Sequence, residues 1–192
     1  MEEDSLNPEI ELVLIGGSAG SLEVLFKLLP LLKADLKPAI IVVLHRKSAG
    51  DSSLIDLLST KTVLPIQEAE DKDLILPGNM YLAPSDYHLL IEKNRTFTLD
   101  YSEKINFSRP SLDVTFEAAA DIFGALTAGI ILSGANDDGT IGLRAIKKAG
   151  GKIIAQDPTT AQMPLMPQHA INNLKMDHIF NTVEMAGYLN NL

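Results

Sequence analysis

Short, uninterrupted apolar runs alternate along this chain with glycine-rich or polar turns and with segments of helical periodicity. The clearest runs lie in Glu11 to Ile15, Ala39 to Leu44, Ala128 to Leu132 and Lys152 to Ala155, the first and last of which begin with one charged residue. Each is far shorter than the roughly 20 apolar residues that cross a membrane. Continuous apolar runs of this length are typical of strands buried on both faces. The alternation therefore predicts an α/β fold with an open, mainly parallel, doubly wound sheet.

The segments between these runs predict the helices of that fold. Helical spacing of apolar residues is found from Ser21 to Leu32, Ser52 to Ser59, Leu112 to Phe123, Asp138 to Ala149, Pro167 to Asn172 and Val183 to Leu189. Pro110 suits the first turn of the third helix, and Gly124 suits its end.

The middle of the chain follows a different pattern. Short strand-like pieces are separated by Pro77-Gly78, Pro84-Ser85 and Lys93-Asn94, which favour turns. We expect two of these pieces to form an antiparallel β-hairpin inserted into the α/β fold. The pieces are Val63 to Gln67, Leu74 to Leu76, Met80 to Ala83, His88 to Glu92 and Thr96 to Leu99, and a further short strand is predicted at His178 to Phe180.

Length and charge restrict the possible functions. The 192 residues fit one domain, which we expect to span residues 10–192 after an N-terminal tail of residues 1–9. A net charge of −9 argues against a nucleic-acid partner, since binding phosphates requires clustered Lys and Arg. The acidic start Met-Glu-Glu-Asp does not resemble a secretory signal, so we expect a cytoplasmic protein without membrane insertion.

The residue types also limit the available chemistry. The chain has no cysteine, so a thiol nucleophile and a Cys-ligated zinc are excluded. The histidines have no metal-ligand spacing, and we predict neither a metal nor a cofactor. Covalent chemistry would have to use Ser, Thr, Lys or a carboxylate.

Three loops follow predicted parallel strands, where ligands bind in open α/β sheets. They are Gly16 to Gly20, His45 to Lys47 and Ser133 to Gly139. Serine becomes a good nucleophile only beside a base, and that base needs a third group to orient it. Ser18, His45 and Asp138 supply these three roles, so the sequence predicts a catalytic triad. The N–H groups near Ala19 or in the Gly134 to Asn136 loop are candidates for stabilising an oxyanion.

Each of these residues also has a simpler explanation. The glycine turn could be a phosphate cradle, although it has neither the third glycine of a dinucleotide site nor the Gly-Lys-Ser/Thr ending of a P-loop. His45 could be an ordinary polar residue at a strand end. Asp138 could cap the helix that begins there, as could Asn136 or Asp137.

Several segments resemble the catalytic domain of CheB-type protein-glutamate methylesterases over about residues 10 to 190. The matching segments are Ile15 to Gly20, Val43 to His45, Leu76 to Pro84, Ser108 to Phe116 and Leu132 to Gly139, and they occur in the order of that family. The family's catalytic triad falls on Ser18, His45 and Asp138.

The resemblance implies hydrolysis of glutamate methyl esters on the cytoplasmic region of chemotaxis receptors, with release of methanol. It also implies deamidation of receptor glutamines as a second reaction. Two alternatives stay open: a non-catalytic signalling scaffold on the same fold, and an esterase for another carboxyl ester.

The chain also departs from the family. Only about ten residues precede the first predicted strand, so we expect no receiver domain, and activity that is either constitutive or controlled by a separate response regulator or kinase. The alternative is that the sequence is a piece of a longer protein. Ala19-Gly20-Ser21, Arg46-Lys47 and Ala135 stand where the family commonly has Thr-Gly-Gly, Met-Pro and methionine. These changes surround the predicted pocket and put the substrate in question more than the reaction.

Overall fold

A computed structural model describes residues 9–46 and 52–192. The described residues form nine strands and six α-helices, which alternate except that β3 to β6 follow one another without a helix between them. The strands are β1 Leu12–Gly17, β2 Ala39–Leu44, β3 Ile66–Glu68, β4 Met80–Leu82, β5 His88–Ile91, β6 Phe97–Asp100, β7 Thr127–Ile131, β8 Lys152–Gln156 and β9 His178–Phe180. The helices are α1 Ser21–Leu28, α2 Ser52–Ser59, α3 Leu112–Phe123, α4 Thr140–Lys148, α5 Leu165–Asn173 and α6 Thr182–Leu189.

Seven of the strands form one parallel sheet, in the order β3-β4-β2-β1-β7-β8-β9. From β1 the chain continues to β2 on one side, and from β7 it continues to β8 on the other. The order in which the chain adds strands therefore reverses between β1 and β7. In open α/β sheets, ligands bind at the carboxyl ends of the strands at such a topological switch point. The strands β5 and β6 pair antiparallel as a separate two-stranded sheet. The predicted fold class and the inserted hairpin are both confirmed.

Side chains of the sheet alternate between two apolar layers. In β1, Leu12 and Leu14 pack with α3, α4, α5 and the hairpin, whereas Val13 and Ile15 pack with α1, α2 and α6. All four side chains are fully buried. Helices thus cover both faces of the sheet, as a continuously apolar parallel strand requires.

Some predicted elements end elsewhere or are absent. The first helix stops at Leu28 and continues as a 3-10 turn over Leu29–Leu31, because Pro30 lacks the N–H that an α-helix would use there. Leu74 to Leu76 is not a strand, since only an isolated bridge joins Leu74 to Thr96. The strand predicted from Val63 begins at Ile66, just after Pro65.

Some expectations fall on residues that are not described. The predicted N-terminal tail lies outside the described residues except for the exposed Glu9. Lys47 of the second strand-end loop also lies outside them. No described helix is both long enough and apolar enough to span a membrane.

Helices α3 and α4 cross closely because Gly142 has no side chain. A Cβ atom at Gly142 would overlap Cβ of Phe116 and lie 3.1 Å from the Cα and carbonyl oxygen of Asp113. The backbone of Asp113 cannot move away without separating the two helices. Gly142 therefore sets the distance between α3 and α4.

We expect Gly142→Ala to lower the free energy of unfolding by about 2 kcal/mol, because overpacking outweighs the roughly 1 kcal/mol gain in helix propensity. Gly187 in α6 is the matched control, since a Cβ there would meet nothing within 4 Å. We expect Gly187→Ala to raise the same quantity by about 0.5–1 kcal/mol. Urea unfolding of both variants measures the difference. Equal effects of the two substitutions would contradict the close crossing.

Candidate active site

The three predicted loops meet at the carboxyl ends of β1, β2 and β7. Backbone hydrogen bonds join them directly. The N–H of Ser18 donates to the carbonyl of Ser133 at 2.9 Å, and the N–H of His45 donates to the carbonyl of Gly17 at 3.1 Å. The positions of Ser18 and His45 relative to the third loop are therefore set by the main chain.

His45 contacts Asp138 through a short side-chain hydrogen bond. The distance from Nε2 of His45 to Oδ2 of Asp138 is 2.7 Å. The side chain of Asp138 is fully buried, and that of His45 is 11% exposed. Charge-assisted hydrogen bonds of this kind are strong where water is excluded. The structure thus brings together two of the three predicted triad residues.

The carboxylate of Asp138 also holds the start of α3. It accepts hydrogen bonds from the N–H of Leu112 at 2.7 Å, the N–H of Asp113 at 3.0 Å and the hydroxyl of Ser111 at 3.0 Å. The first N–H groups of a helix have no partner within the helix, so this carboxylate satisfies two of them. The alternative in which Asp138 caps the helix that follows it is wrong, because that helix has Gly139 at its N-cap and no side-chain cap.

Asp113 makes the reciprocal contact. Its Oδ1 atom accepts hydrogen bonds from the N–H of Gly139 at 2.9 Å and from the N–H of Gly142 at 2.8 Å, at the start of α4. Asp138, which precedes α4, therefore caps α3, while Asp113, in the first turn of α3, caps α4. We call this arrangement the crossed caps.

The two carboxyl groups of the crossed caps have opposite pKa shifts. Burial opposes ionisation of Asp138, but the hydrogen bonds from His45, Asp113 and Leu112 and the charge of His45 outweigh burial and lower its pKa. Burial is the main influence on Asp113, and with the repulsion from Asp138 it raises the pKa of Asp113 to about 6 against the hydrogen bonds from Gly142 and Gly139. The residue that contacts His45 is thus the one held as a carboxylate.

The raised pKa of Asp113 predicts a dependence of stability on pH. Between about pH 4 and pH 6 the folded protein binds more protons at Asp113 than the unfolded chain does, so the contribution of this group to stability falls as pH rises. Asp113→Asn keeps an oxygen acceptor and removes this titration. We expect the free energy of unfolding of the variant, relative to that of wild type, to be about 1–3 kcal/mol more favourable at pH 7 than at pH 4.5. Urea unfolding at both pH values measures the gain, and a difference independent of pH would contradict it.

Ser18 lies beside His45 in a cavity of about 490 Å³. It follows β1 in the tight turn before α1, where Gly20 has a φ of 81°. No hydrogen bond joins the Ser18 hydroxyl to His45 or to any other residue in 9–46 and 52–192. The structure thus places the third predicted triad residue in a cavity that His45 also lines, without a hydrogen bond to His45 or Asp138. The catalytic roles of Ser18, His45 and Asp138 stay a prediction.

The same turn is poorly suited to a phosphate. The N–H of Ser18 is used by the carbonyl of Ser133, and both the N–H and the hydroxyl of Ser21 donate to the carbonyl of Ser18. A phosphate cradle requires several free N–H groups that point at one place. Two of the groups that it would need are already engaged, which disfavours the nucleotide-site interpretation.

The proposed oxyanion donors are not equally available. The N–H of Gly134 donates to the carbonyl of Met163 at 2.9 Å. Those of Ala19, Ala135 and Asn136 have no acceptor among the residues that the structure describes. Ala19 and the Ala135–Asn136 pair are therefore the better candidates.

Several residues of the site were not identified from the sequence. Asn136 contacts His45 directly, with 3.1 Å between its Nδ2 atom and Nδ1 of the ring. His88, the first residue of one predicted strand, is fully buried and accepts a hydrogen bond on Nδ1 from the N–H of Ser111. The Ser-Leu-Asp segment at the start of a predicted helix was the signal available for Ser111 and Asp113.

A second cavity of about 440 Å³ adjoins His45 on the side of the hairpin. Three cationic side chains line it, on a chain whose net charge is −9. Arg46 in this lining also donates to Glu68 at 2.6 Å, and Arg109 stacks on Tyr101. The lining consists of His45, Arg46, Asp86, Lys104, Phe107, Ser108 and Arg109.

Nothing in the described part of the chain is arranged as a metal site, since no three His, Asp or Glu side chains converge there. The remaining histidines have other contacts. Nδ1 of His169 lies 2.9 Å from the Thr140 hydroxyl, and His178 stacks on Phe180.

Comparison with known proteins adds independent information. Residues 13–189 match the family model of the CheB methylesterase. The chain is 40% identical to a putative protein-glutamate methylesterase/protein-glutamine glutaminase of Leptospira interrogans, over 92% of this chain and 91% of that protein. It is 36% identical to the protein-glutamate methylesterase/protein-glutamine glutaminase of Thermotoga maritima, over 88% of this chain and 50% of that protein. The crystal structure of the Thermotoga maritima CheB methylesterase catalytic domain superposes with a TM-score of 0.91 at 33% identity, covering 96% of this chain and 99% of that one.

Proposed function

The chain belongs to the CheB methylesterase family, and on that premise we propose that it hydrolyses methyl esters of glutamate side chains on chemotaxis receptors. The products are the glutamate carboxylate and methanol. Deamidation of receptor glutamines is proposed as a second reaction, since the names of the relatives include a glutaminase activity. The partner is the receptor's cytoplasmic region, and this places the protein in the cytoplasm.

The observation that carries the proposal is the buried His45–Asp138 pair beside a serine without a hydrogen-bond partner among the described residues. The lowered pKa of Asp138 keeps it a carboxylate, so it accepts a hydrogen bond from Nε2–H of His45. The lone pair of this ring then lies on Nδ1. A ring held in this state is a general base for a nearby hydroxyl.

In the first step, Oγ of Ser18 attacks the ester carbonyl carbon while its proton passes to Nδ1 of His45. The negative charge on the carbonyl oxygen is stabilised by the N–H groups of Ala19 and of the Ala135–Asn136 segment, each worth roughly 3–4 kcal/mol. The carbon–oxygen bond to the methoxy group then breaks. The departing oxygen takes the proton from His45, so methanol leaves and an acyl-enzyme is formed.

In the second step, water attacks the acyl carbon and transfers a proton to Nδ1 of His45. The bond to Oγ of Ser18 breaks as the proton returns to this oxygen. The glutamate side chain is released as a carboxylic acid, which ionises at neutral pH. Throughout both steps Asp138 stays ionised and stabilises the cationic ring.

The test of the function is methanol release from methylated receptor membranes by the purified protein. We expect release by the wild-type chain and none from membranes incubated alone. Hydrolysis of small carboxyl esters without methanol release from receptors would assign the chain to another ester. No hydrolysis of either kind would support the scaffold interpretation.

A further inference from the structure

Asn136 contacts His45 on the side of the ring opposite Asp138. Its own orientation is set by the main chain, because Oδ1 of Asn136 accepts the N–H of Asp138 at 3.2 Å. The reversed amide would direct an NH₂ group at that N–H. The NH₂ group of Asn136 therefore faces Nδ1 of His45, at 3.1 Å.

This orientation determines the state of the ring. An amide NH₂ group is a donor only, so Nδ1 of His45 must be the acceptor and carry no proton. The single ring proton is then on Nε2, from which it is donated to Asp138. Asn136 and Asp138, two positions apart in one loop, thus hold both nitrogens of His45.

The contact of Asn136 conflicts with the proposed mechanism in the resting site. Nδ1 has one lone pair in the ring plane, and the Ser18 hydroxyl needs the same lone pair to lose its proton. The Ser18 hydroxyl has no hydrogen-bond partner in the described residues. In the resting site the lone pair of Nδ1 of His45 is therefore used by the Asn136 amide and not by the Ser18 hydroxyl.

We propose that Asn136 is a positioning residue, which occupies Nδ1 of His45 in the resting site, keeps this nitrogen unprotonated and is displaced when Ser18 engages it. The proposal rests on the function proposed for Ser18 and His45. Displacement is favoured once the proton has moved, because Nδ1–H and the amide NH₂ are both donors and repel each other.

Other charged groups near His45 also influence any pH-dependent measurement at this residue. Asp138 is in contact with the ring, the N–H of Asp113 donates to Asp138, and four charged side chains line the adjoining cavity. They are Arg46, Asp86, Lys104 and Arg109. Substitution of Asn136 by alanine alters none of these charges.

The direct test is ¹⁵N NMR of the full chain with labelled histidine, which needs no substrate. In wild type at neutral pH we expect a protonated Nε2 and a hydrogen-bonded, unprotonated Nδ1 for His45. In Asn136→Ala the Nδ1 resonance should move toward that of a nitrogen without a hydrogen bond. In Ser18→Ala it should stay at the wild-type position. A shift in Ser18→Ala, or none in Asn136→Ala, would overturn the proposal.

The kinetic test is the pH profile of kcat/KM. Asn136 donates only to the unprotonated base, so Asn136→Ala should move the midpoint of the acid limb upward by about half to one pH unit. Asn136→Asp keeps the acceptor for the Asp138 N–H. It should move the midpoint further upward, because its negative charge stabilises the protonated ring. Asp137→Asn is the control in the same loop and should not raise it.

The outcomes distinguish the two proposals. A fall in activity with an unmoved midpoint in Asn136→Ala would make Asn136 merely structural. An upward shift in Asn136→Asp alone would be the effect of a new charge, and would also overturn the proposal. If the chain has no esterase activity, the proposed function fails while the NMR test of Asn136 still gives an answer.

Discussion

Replacing Ser18 with alanine is expected to lower methanol release by about 10⁴-fold or more. The substitution removes the only atom that forms a covalent bond to the substrate in the proposed mechanism. The stability cost should be small, within about 0.5 kcal/mol, because no described residue loses a hydrogen bond to the Ser18 side chain. The assay is methanol release, with urea unfolding run on the same samples.

Ser21 provides the matched control for this experiment. It is the second serine of the same turn, but its hydroxyl donates to the carbonyl of Ser18 and it is 1% exposed. We expect Ser21→Ala to reduce the rate by far less, about tenfold, through loss of order in the turn. Comparable losses in the two variants would show that the turn, and not the Ser18 hydroxyl, is what the reaction requires.

Replacing Asp138 with alanine is expected to affect both stability and activity. Three buried donors, Ser111 Oγ and the N–H groups of Leu112 and Asp113, would lose their acceptor. We expect the free energy of unfolding to fall by about 3–5 kcal/mol. The rate should fall by about 10³- to 10⁴-fold in the folded fraction, because Nε2 of His45 then has no carboxylate to accept its proton's hydrogen bond and to stabilise the cationic ring.

Asp138→Asn separates these two effects. Its amide can accept from part of the α3 terminus, so the stability loss should be smaller than in Asp138→Ala. Its NH₂ group would repel the proton on Nε2 of His45, so the rate loss should be as large. Asp177→Ala is the control, since Asp177 accepts from Lys147 and from the N–H of Ile153 far from the site. It should lose stability and keep its rate, and a comparable rate loss there would undermine the proposed role of Asp138.

The fold was predictable where proline or glycine residues lie at the ends of apolar segments. Strand β2 and helix α3 have the predicted bounds, since Pro38 precedes the strand and Gly124 ends the helix. Pro110, predicted in the first turn of α3, instead precedes the N-cap residue Ser111. The prediction failed at Leu74 to Leu76, where alternation alone indicated a strand. That segment instead contacts the hairpin, with the N–H of Ile75 donating to the carbonyl of Arg95 at 3.0 Å. Pairing partners of this kind depend on tertiary packing.

The site was predictable only at the level of strand ends. Strand order brings the loops after β1, β2 and β7 together, so Ser18, His45 and Asp138 could be selected by the position of each loop. The donors to Asp138 lie in α3 rather than in the helix that follows it, and no local pattern links the two. The sequence suggested only a helix-capping role for the Asn136 side chain. Its contact with His45 depends on the orientation of one amide, which the sequence does not specify.

The crossed caps make the orientation of the His45 ring part of the protein's local unfolding equilibrium. A fluctuation that parts α3 from α4 removes the donors of Asp138 and of Asp113 at once, and it leaves His45 without its anchor. Such a fluctuation requires less energy than global unfolding, because the sheet and the opposite helical layer can stay folded. We therefore expect activity to be lost on heating when this helix pair opens, below the melting temperature of the chain.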